Sequence, residues 1–454
     1  MDERAASPDP TRGSASPFVR RLALITAGAL AVRILIIVLV DPHVPDLGDA
    51  SAYHLLANHL ADGRGYIRPF DLVRFHLVVP TAEYPPLHPF VLSLFARVGM
   101  RSVEAQRLGL ACIGAATVTM IGVVGRQVAG TTAGLVAAGL AAVSPMMFLP
   151  EATLMSEALF VLLVTVALYL AGRARVVPTP GRFAILGIVL GIGVLTRAEA
   201  GVLGVLLIVP IAIRAPKLST SRRFAVAAVG LGAMVIVVVP WTARNQSTFH
   251  AFVPVSNNLG TALAGANCSL TYSGESLGSW RSTFGSGDAA VGKCFTGFNG
   301  RQPHFNEATA SAAARHRGLT FVGDHLVDLP KVGLARLLRT FGVFRPAQQI
   351  QLETLEGRPH PWEQAGTWLE WALYPVAILG FVMLVRRHAP YGGLLATLVS
   401  VIVATLVTYG NQRFRIGAEP AILIGAGVGC TTLARALGRK PSTVEGRQVS
   451  TAPQ

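Results

Sequence analysis

Long apolar runs separated by short polar breaks dominate the chain. LALITAGALAVRILIIVLV (22–40) and FAVAAVGLGAMVIVVVPW (224–241) are each long enough to cross a bilayer, which takes about 20 apolar residues as a helix. The same pattern predicts spans at 20–40, 86–99, 104–125, 131–150, 153–172, 182–197, 199–214, 223–241, 370–386, 391–409 and 415–436. Two hydrophilic stretches, 41–85 and 242–369, interrupt them. The expected fold class is an all-α polytopic membrane protein with about 10 or 11 transmembrane helices. Its expected organisation is a polar tail 1–19, a transmembrane module 20–241 with an outer loop 41–85, an extracytoplasmic mixed loop region 242–369, C-terminal helices 370–436 and a tail 437–454.

Finer periodicity marks one short helix off the membrane spans. In DLGDASAYHLLANHLADGRGY (46–66), Tyr53, Leu56, Ala57 and Leu60 recur at helical spacing, and Gly63 and Gly65 would end the helix. This predicts a helix lying on the membrane surface. Asp49 stands at its start, where aspartate is a favoured N-cap. Residues 305–344 also read as helical, whereas PVSNNLGTALAGANCSLTYSGESLGSW reads as loops and short elements.

Composition agrees with the pattern. Hydrophobic residues make up 52% of the chain and charged residues only 14%, against about 25% charged in soluble domains. The net charge of +15 would suggest nucleic acid in a soluble protein. Here the basic residues cluster at span ends, which sets orientation and calls for no nucleic-acid partner. Arg20-Arg21, Arg173 and Arg175, Arg214 with Lys217 and Arg222-Arg223, Arg386-Arg387, and Arg435 with Arg439-Lys440 are expected on the cytoplasmic side. Both hydrophilic stretches then lie outside and both termini inside. The first apolar run is too long for a signal-peptide core and is expected to be a retained span. Parity is left open around Arg126, because two spans, 86–99 and 104–125, separate it from the outer loop. The first of these would be only about 21 Å of helix, short of a ~30 Å hydrocarbon core. Cys112 and Cys430 lie in apolar runs, whereas Cys268 and Cys294 share the large hydrophilic segment and can form a disulfide if it is extracytoplasmic.

Ionisable residues then collect on one face. Asp46 and Asp49 follow the first span, Glu83 precedes the short one, and Glu151 and Glu157 sit in SPMMFLPEATLMSE. Arg197 and Glu199 lie in LTRAEAG, Arg244 and Asn245 follow the span ending in PW, and Arg413 and Arg415 sit in YGNQRFRIGAEP. Each has an ordinary reading taken singly: Asp49 a cap, EYPPLHP a Pro-fixed helix entry, Ser156-Glu157 a helix start, Arg197 a snorkelling side chain. Together they place carboxylates and arginines from distant turns on one side of a membrane, a set suited to an anionic lipid-linked substrate.

These residues resemble the GT-C superfamily of polyprenyl-phosphate-sugar-dependent membrane glycosyltransferases, on the side of the protein O-mannosyltransferases and lipid A aminoarabinose transferases. The resemblance runs through GDASAYHLLANHLADGRGY, EYPPLHPFVLSLFARVG, the stretch 144–157 ending in MSEALF, GIGVLTRAEAG and PWTARNQSTFHAFVPVSNNLG, with RFRIGAEP as a looser sixth segment. NCSLTYSGESLGSW is similar to loops of actinobacterial members. The resemblance implies an inverting transfer from a polyprenyl-phosphate sugar to a glycan, lipid or protein acceptor on the outer face of the cytoplasmic membrane. It implies Asp49 as catalytic base, taking the proton of an acceptor hydroxyl. Arg197, Arg244, Arg413 and Arg415 become candidates for stabilising the leaving phosphate, and Glu83 and Glu157 match acidic positions near the site. The chain departs from its relatives in having Ala50 after Asp49, where many have an acidic pair, and Tyr84 after Glu83, where the aminoarabinose transferases have lysine. Metal use varies in the superfamily. No firm cofactor follows, a divalent cation held by Glu83, Glu157 and a histidine such as His304 is compatible, and no metal-ligand spacing supports it.

The competing class is a transporter or flippase of a lipid-linked or small substrate. Such proteins place polar groups at mid-membrane in broken helices of matched halves. Here the polar groups gather at one face and the spans are clean, which favours the enzyme. A scaffold binding partners through 242–369 gives no reason for acidic residues in three separate turns.

Overall fold

A computed structural model of the chain describes residues 16–40, 44–46, 48–216, 218–281, 294 and 306–437. The described residues form helices joined by turns, and their one β interaction is an isolated bridge between Ile67 and Pro80. In chain order the helices are α1 (Pro17–Leu35), α2 (Asp49–Ala61), α3 (Pro69–Phe75), α4 (Leu87–Arg97), α5 (Val103–Ala129), α6 (Thr131–Val143), α7 (Pro145–Ala152), α8 (Glu157–Val176), α9 (Pro180–Val194) and α10 (Ala200–Ile213). They continue as α11 (Thr220–Phe249), α12 (Asn258–Ala266), α13 (Glu307–Asp324), α14 (Leu329–Thr340), α15 (Pro346–Leu355), α16 (His360–Arg386), α17 (Gly392–Val407) and α18 (Glu419–Leu437). A π-helical turn, Ile36–Val40, extends α1.

Local sequence sets the boundaries. Ser102 caps α5 by accepting the Ala105 N–H, and Thr179 caps α9 by accepting from Arg182 before Pro180. Gly130, at φ +91°, separates α5 from α6. Without water in a bilayer to drive association, membrane helices pack through small residues. A β-carbon on Gly125 of α5 would lie 2.9 Å from the α-carbon of Gly134 of α6, so this hairpin closes only because both are glycine.

Among the described residues, six helices are long and apolar enough to cross a membrane, seven if α6 and α7, bent by 47°, count as one span. Three shorter apolar helices, α9, α10 and α17, fill the bundle. The expected span at 86–99 is not among these. α4 has 11 residues, about 16 Å, and packs on α2. Its apolar run is that of an interfacial helix: His88, Leu92 and Ala96 face inward while Phe90 and Leu94 are exposed. Without a crossing there, the parity problem closes. With the shorter α9, α10 and α17 counted as crossings, ten alternating segments (α1, α5, the α6–α7 pair, α8, α9, α10, α11, α16, α17 and α18) put the described residues of the clusters expected on the cytoplasmic side, with Arg126, at one end. Contacts agree with this: the Arg126 guanidinium sits 4.5 Å from the Phe18 ring, and Arg182 donates to the Arg173 carbonyl at 2.8 Å.

The opposite end carries α2, α4, α12–α15 and the 3-10 turn Gln412–Gly417. α2 forms as its periodicity predicts, with Ala50, Tyr53, Leu56 and Ala57 buried. Gly48, not Asp49, takes the N-cap position, and no side chain caps it. α11 runs past 241 to Phe249, and α16 starts at His360, ahead of 370.

Candidate active site

Four turns from distant parts of the chain meet at this end. Asp49 opens α2, Glu157 opens α8, Arg197 lies in the turn between α9 and α10, and Arg413 lies in the 3-10 turn before α18. The Arg413 guanidinium is the hub. Its Nε donates to Glu157 Oε1 at 2.6 Å and its Nη2 to Asp49 Oδ2 at 2.9 Å. Arg197 reaches the same Glu157 oxygen from the other side, Nη1 at 3.0 Å, and pairs through Nε with Glu199 at 2.5 Å. Glu157 is fully buried, and the two arginines nearly so. A carboxylate without water is tolerable only when paired and hydrogen-bonded, and here one carboxylate fixes two cations. Asp49 differs, because its side chain is 30% exposed. One negative group is thus held by an arginine yet open to a ligand. It also stands in the first turn of a helix, where a negative charge is favoured. Tyr53, one turn on, is buried with its hydroxyl 3.5 Å from Ser156 Oγ, and burial, with the charges of Asp49 and Glu157, raises its pKa.

Glu83 lies beside this hub in the segment between α3 and α4. It is half-buried, and its carboxyl is pushed up to about 7, first by burial and then by the carboxylates of Glu307 and, more weakly, Asp49. Glu307 is the clamp of that segment. It accepts from Thr81 Oγ1 at 3.0 Å, Asn257 Nδ2 at 2.9 Å and the Ala82 N–H.

Three of the sequence candidates have other partners. Arg244 donates to the carbonyls of Thr81 at 2.7 Å and Tyr66 at 3.0 Å and packs 4.9 Å from the Trp241 ring. Asn245 is buried and donates to the Val253 carbonyl at 3.1 Å. Arg244 fastens the 66–81 segment to α11, whereas Asn245 ties α11 to the turn that follows it. Arg415, two residues from Arg413 on a turn with about three residues per turn, points elsewhere. It binds Glu419 at 2.7 Å and the Tyr374 hydroxyl at 3.0 Å. Glu151 is buried against Arg33 of α1 at 2.6 Å. Cys268 and Cys294 are joined by a disulfide, their α-carbons 5.0 Å apart. His304 lies outside the described residues. Among the described residues no three His, Cys, Asp or Glu side chains gather as a metal site, so no chemical step is assigned to a cation.

Sequence reading missed Glu356, which follows α15 and approaches Arg413 Nη1 at 3.8 Å. It also missed the buried set behind it, Arg358 between Glu353 at 3.5 Å and Glu363 at 3.1 Å. The signal was present in LETLEGRP, a helix end with charges at turn spacing, but it lay in the stretch with the weakest periodicity.

Residues 83–242 match the family model for dolichyl-phosphate-mannose-protein mannosyltransferases, about a third of the chain. No curated protein sequence matches the chain. Among solved structures, the apo oligosaccharyltransferase of Archaeoglobus fulgidus aligns over 94% of this chain and 52% of its own, with 13% identity and a TM-score of 0.52. The same archaeal enzyme, AglB, in complex with an inhibitory peptide and a dolichol-phosphate aligns over 93% and 52%, with 13% identity and a TM-score of 0.51. ArnT from Cupriavidus metallidurans, bound to undecaprenyl phosphate, aligns over 93% and 79%, with 13% identity and a TM-score of 0.40. The chain spans about half the length of the archaeal enzyme, and at this identity what the two share is the fold: a polytopic helical bundle of the kind found in membrane glycosyltransferases.

Proposed function

We propose that this protein is an inverting glycosyltransferase of the GT-C type, moving a sugar from a polyprenyl-phosphate donor to an acceptor hydroxyl on the outer face of the cytoplasmic membrane. The observation that carries the reading is the half-open Asp49 on an Arg413 fixed from behind by buried Glu157. The family match over 83–242 supports it, as does a fold shared with an archaeal enzyme solved in complex with a dolichol-phosphate. Basic residues at the opposite end of the bundle favour an outward-facing site.

In this mechanism Asp49 accepts the proton of the acceptor hydroxyl as its oxygen attacks the anomeric carbon. The new C–O bond forms on the face opposite the departing phosphate oxygen. The old C–O bond breaks, and its electron pair leaves on the polyprenyl phosphate. Arg413, with Arg197 behind it, faces that growing charge. Its guanidinium is already oriented by Glu157, so little reorganisation accompanies the reaction. Glu157 therefore acts as a positioning residue, and Arg244, braced by Asn245, holds the segment that carries Glu83.

The test is reconstitution in liposomes with a polyprenyl-phosphate sugar and candidate acceptors. Loss of the base should lower the transfer rate of Asp49→Asn by about 10²-fold or more, and NMR of the product should show an inverted anomeric centre. An Asp49→Asn protein as fast as wild type would remove Asp49 as the base. Donor crossing the bilayer without sugar transfer would support a flippase instead.

A further inference from the structure

Arg413 faces three carboxylates, and its contacts with them are graded. Glu157 lies at 2.6 Å and is fully buried, Asp49 lies at 2.9 Å, and Glu356 lies at 3.8 Å with a side chain 38% exposed. Glu157 cannot leave without stranding a charge in the protein interior. Glu356 can leave, since its contact is beyond hydrogen-bond length and water already reaches it.

Its placement is nevertheless built. The Glu356 and Arg358 N–H groups both donate to the Glu353 carbonyl, at 3.2 and 3.1 Å, and Gly357 turns the chain at φ +96°. Arg358 is then locked between Glu353 and Glu363. The turn therefore aims Glu356 at the mouth of the site. Across that mouth is Gly48, the residue before Asp49. The same Glu356 oxygen that faces Arg413 lies 3.8 Å from where a Gly48 β-carbon would be, so Glu356 stands within van der Waals reach of the start of α2 as well. An anion entering here meets a guanidinium already crowded by negative groups, and one of them must yield.

We propose that Glu356 is an internal stand-in for the donor phosphate. It occupies the Arg413 Nη1 edge in the free protein and is displaced when a lipid-linked phosphate binds. This deepens the glycosyltransferase reading and rests on it. The stand-in keeps the arginine oriented while no donor is bound and sets a threshold that only a strong oxyanion passes.

The experiment is direct binding of undecaprenyl phosphate to the purified full-length protein in nanodiscs, read by microscale thermophoresis, with no acceptor present. Glu356→Gln should bind about tenfold more tightly than wild type, a gain of about 1.4 kcal/mol. A variant damaged in folding would bind more weakly, so the direction of the change separates displacement from structural damage. Glu356→Asp keeps the charge on a shorter stem and should bind nearly as tightly as the Gln variant. If Glu356→Gln binds no better than wild type, the stand-in is overturned while the donor reading survives. If Glu356→Asp matches wild type and only Gln is tighter, a general charge effect explains the gain and the stand-in is again overturned. If wild type and both Glu356 variants all fail to bind, the donor reading falls and takes this inference with it.

Discussion

At the scale of single residues, the site sorts its carboxylates by what surrounds them. Glu157 meets two guanidinium groups, Asp49 meets one and open space, and Glu83 meets burial and other acids. The last arrangement makes a pH-sensitive group. Ionisation of Glu83 is disfavoured in the folded state, with its carboxyl pushed up to about 7 from an ordinary 4.5, and burial is the main cause. A carboxyl raised in this way lends stability that is fully present below its unfolded pKa and is lost as pH rises through the folded one. The unfolding temperature of the wild type should therefore fall between pH about 4.5 and 7. Glu83→Gln, which stays neutral, should show a shallower fall and be the more stable protein at pH 8. Differential scanning fluorimetry of both proteins across that range checks this, and parallel curves would mean that Glu83 ionises as a solvated carboxylate does.

At the scale of elements, the informative case is α4. LHPFVLSLFAR is apolar enough to read as a short span, and hydropathy alone does not separate a helix facing lipid all round from one facing protein on one side. The tertiary partner decides it, because α2 takes up the His88, Leu92 and Ala96 face. The next helix then crosses from the Asp49 end to the basic end, which is why Arg126 falls beside Phe18. The consequence can be measured with single cysteines in a background lacking Cys112 and Cys430. Asp46→Cys and Met100→Cys, on either side of α4 in sequence, should react with a membrane-impermeant maleimide from the same side of the membrane. Thr132→Cys, after α5, should react only from the other side. Met100→Cys reacting from the side opposite to Asp46→Cys, with Thr132→Cys back on the Asp46 side, would restore α4 as a crossing helix.

At the scale of the whole molecule, the sequence pattern made the bundle legible, together with the end of it that carries the candidate site. Spans and basic clusters are consequences of the bilayer itself, and Asp49, Glu157, Arg197 and Arg413 all sit at span ends on one side. Pairing was not legible. Nothing local distinguishes Arg413, which faces the site, from Arg415, which turns to Glu419, and nothing in 242–369 signals that Glu356 and Glu307 return to the first loop. The Glu307–Thr81 contact joins residues 226 positions apart, beyond the reach of any periodicity.

The same holds for Arg33 and Glu151, which staple α1 to the bent α6–α7 span and are both 1% exposed. Glu151 also fills the space a side chain at Gly114 of α5 would need, so three segments meet at one ion pair. Removing either partner leaves a buried charge alone, which costs about 3–5 kcal/mol, whereas replacing both by apolar side chains of similar volume is often neutral. Arg33→Met and Glu151→Met should each lower the unfolding temperature of the detergent-purified protein strongly. The double variant should recover most of the loss if the pair serves only to hold the bundle. Recovered stability with sugar transfer intact would fix the pair as a structural staple. Recovered stability with transfer abolished would show that the charges themselves act on the site through α7, which leads in four residues to Glu157.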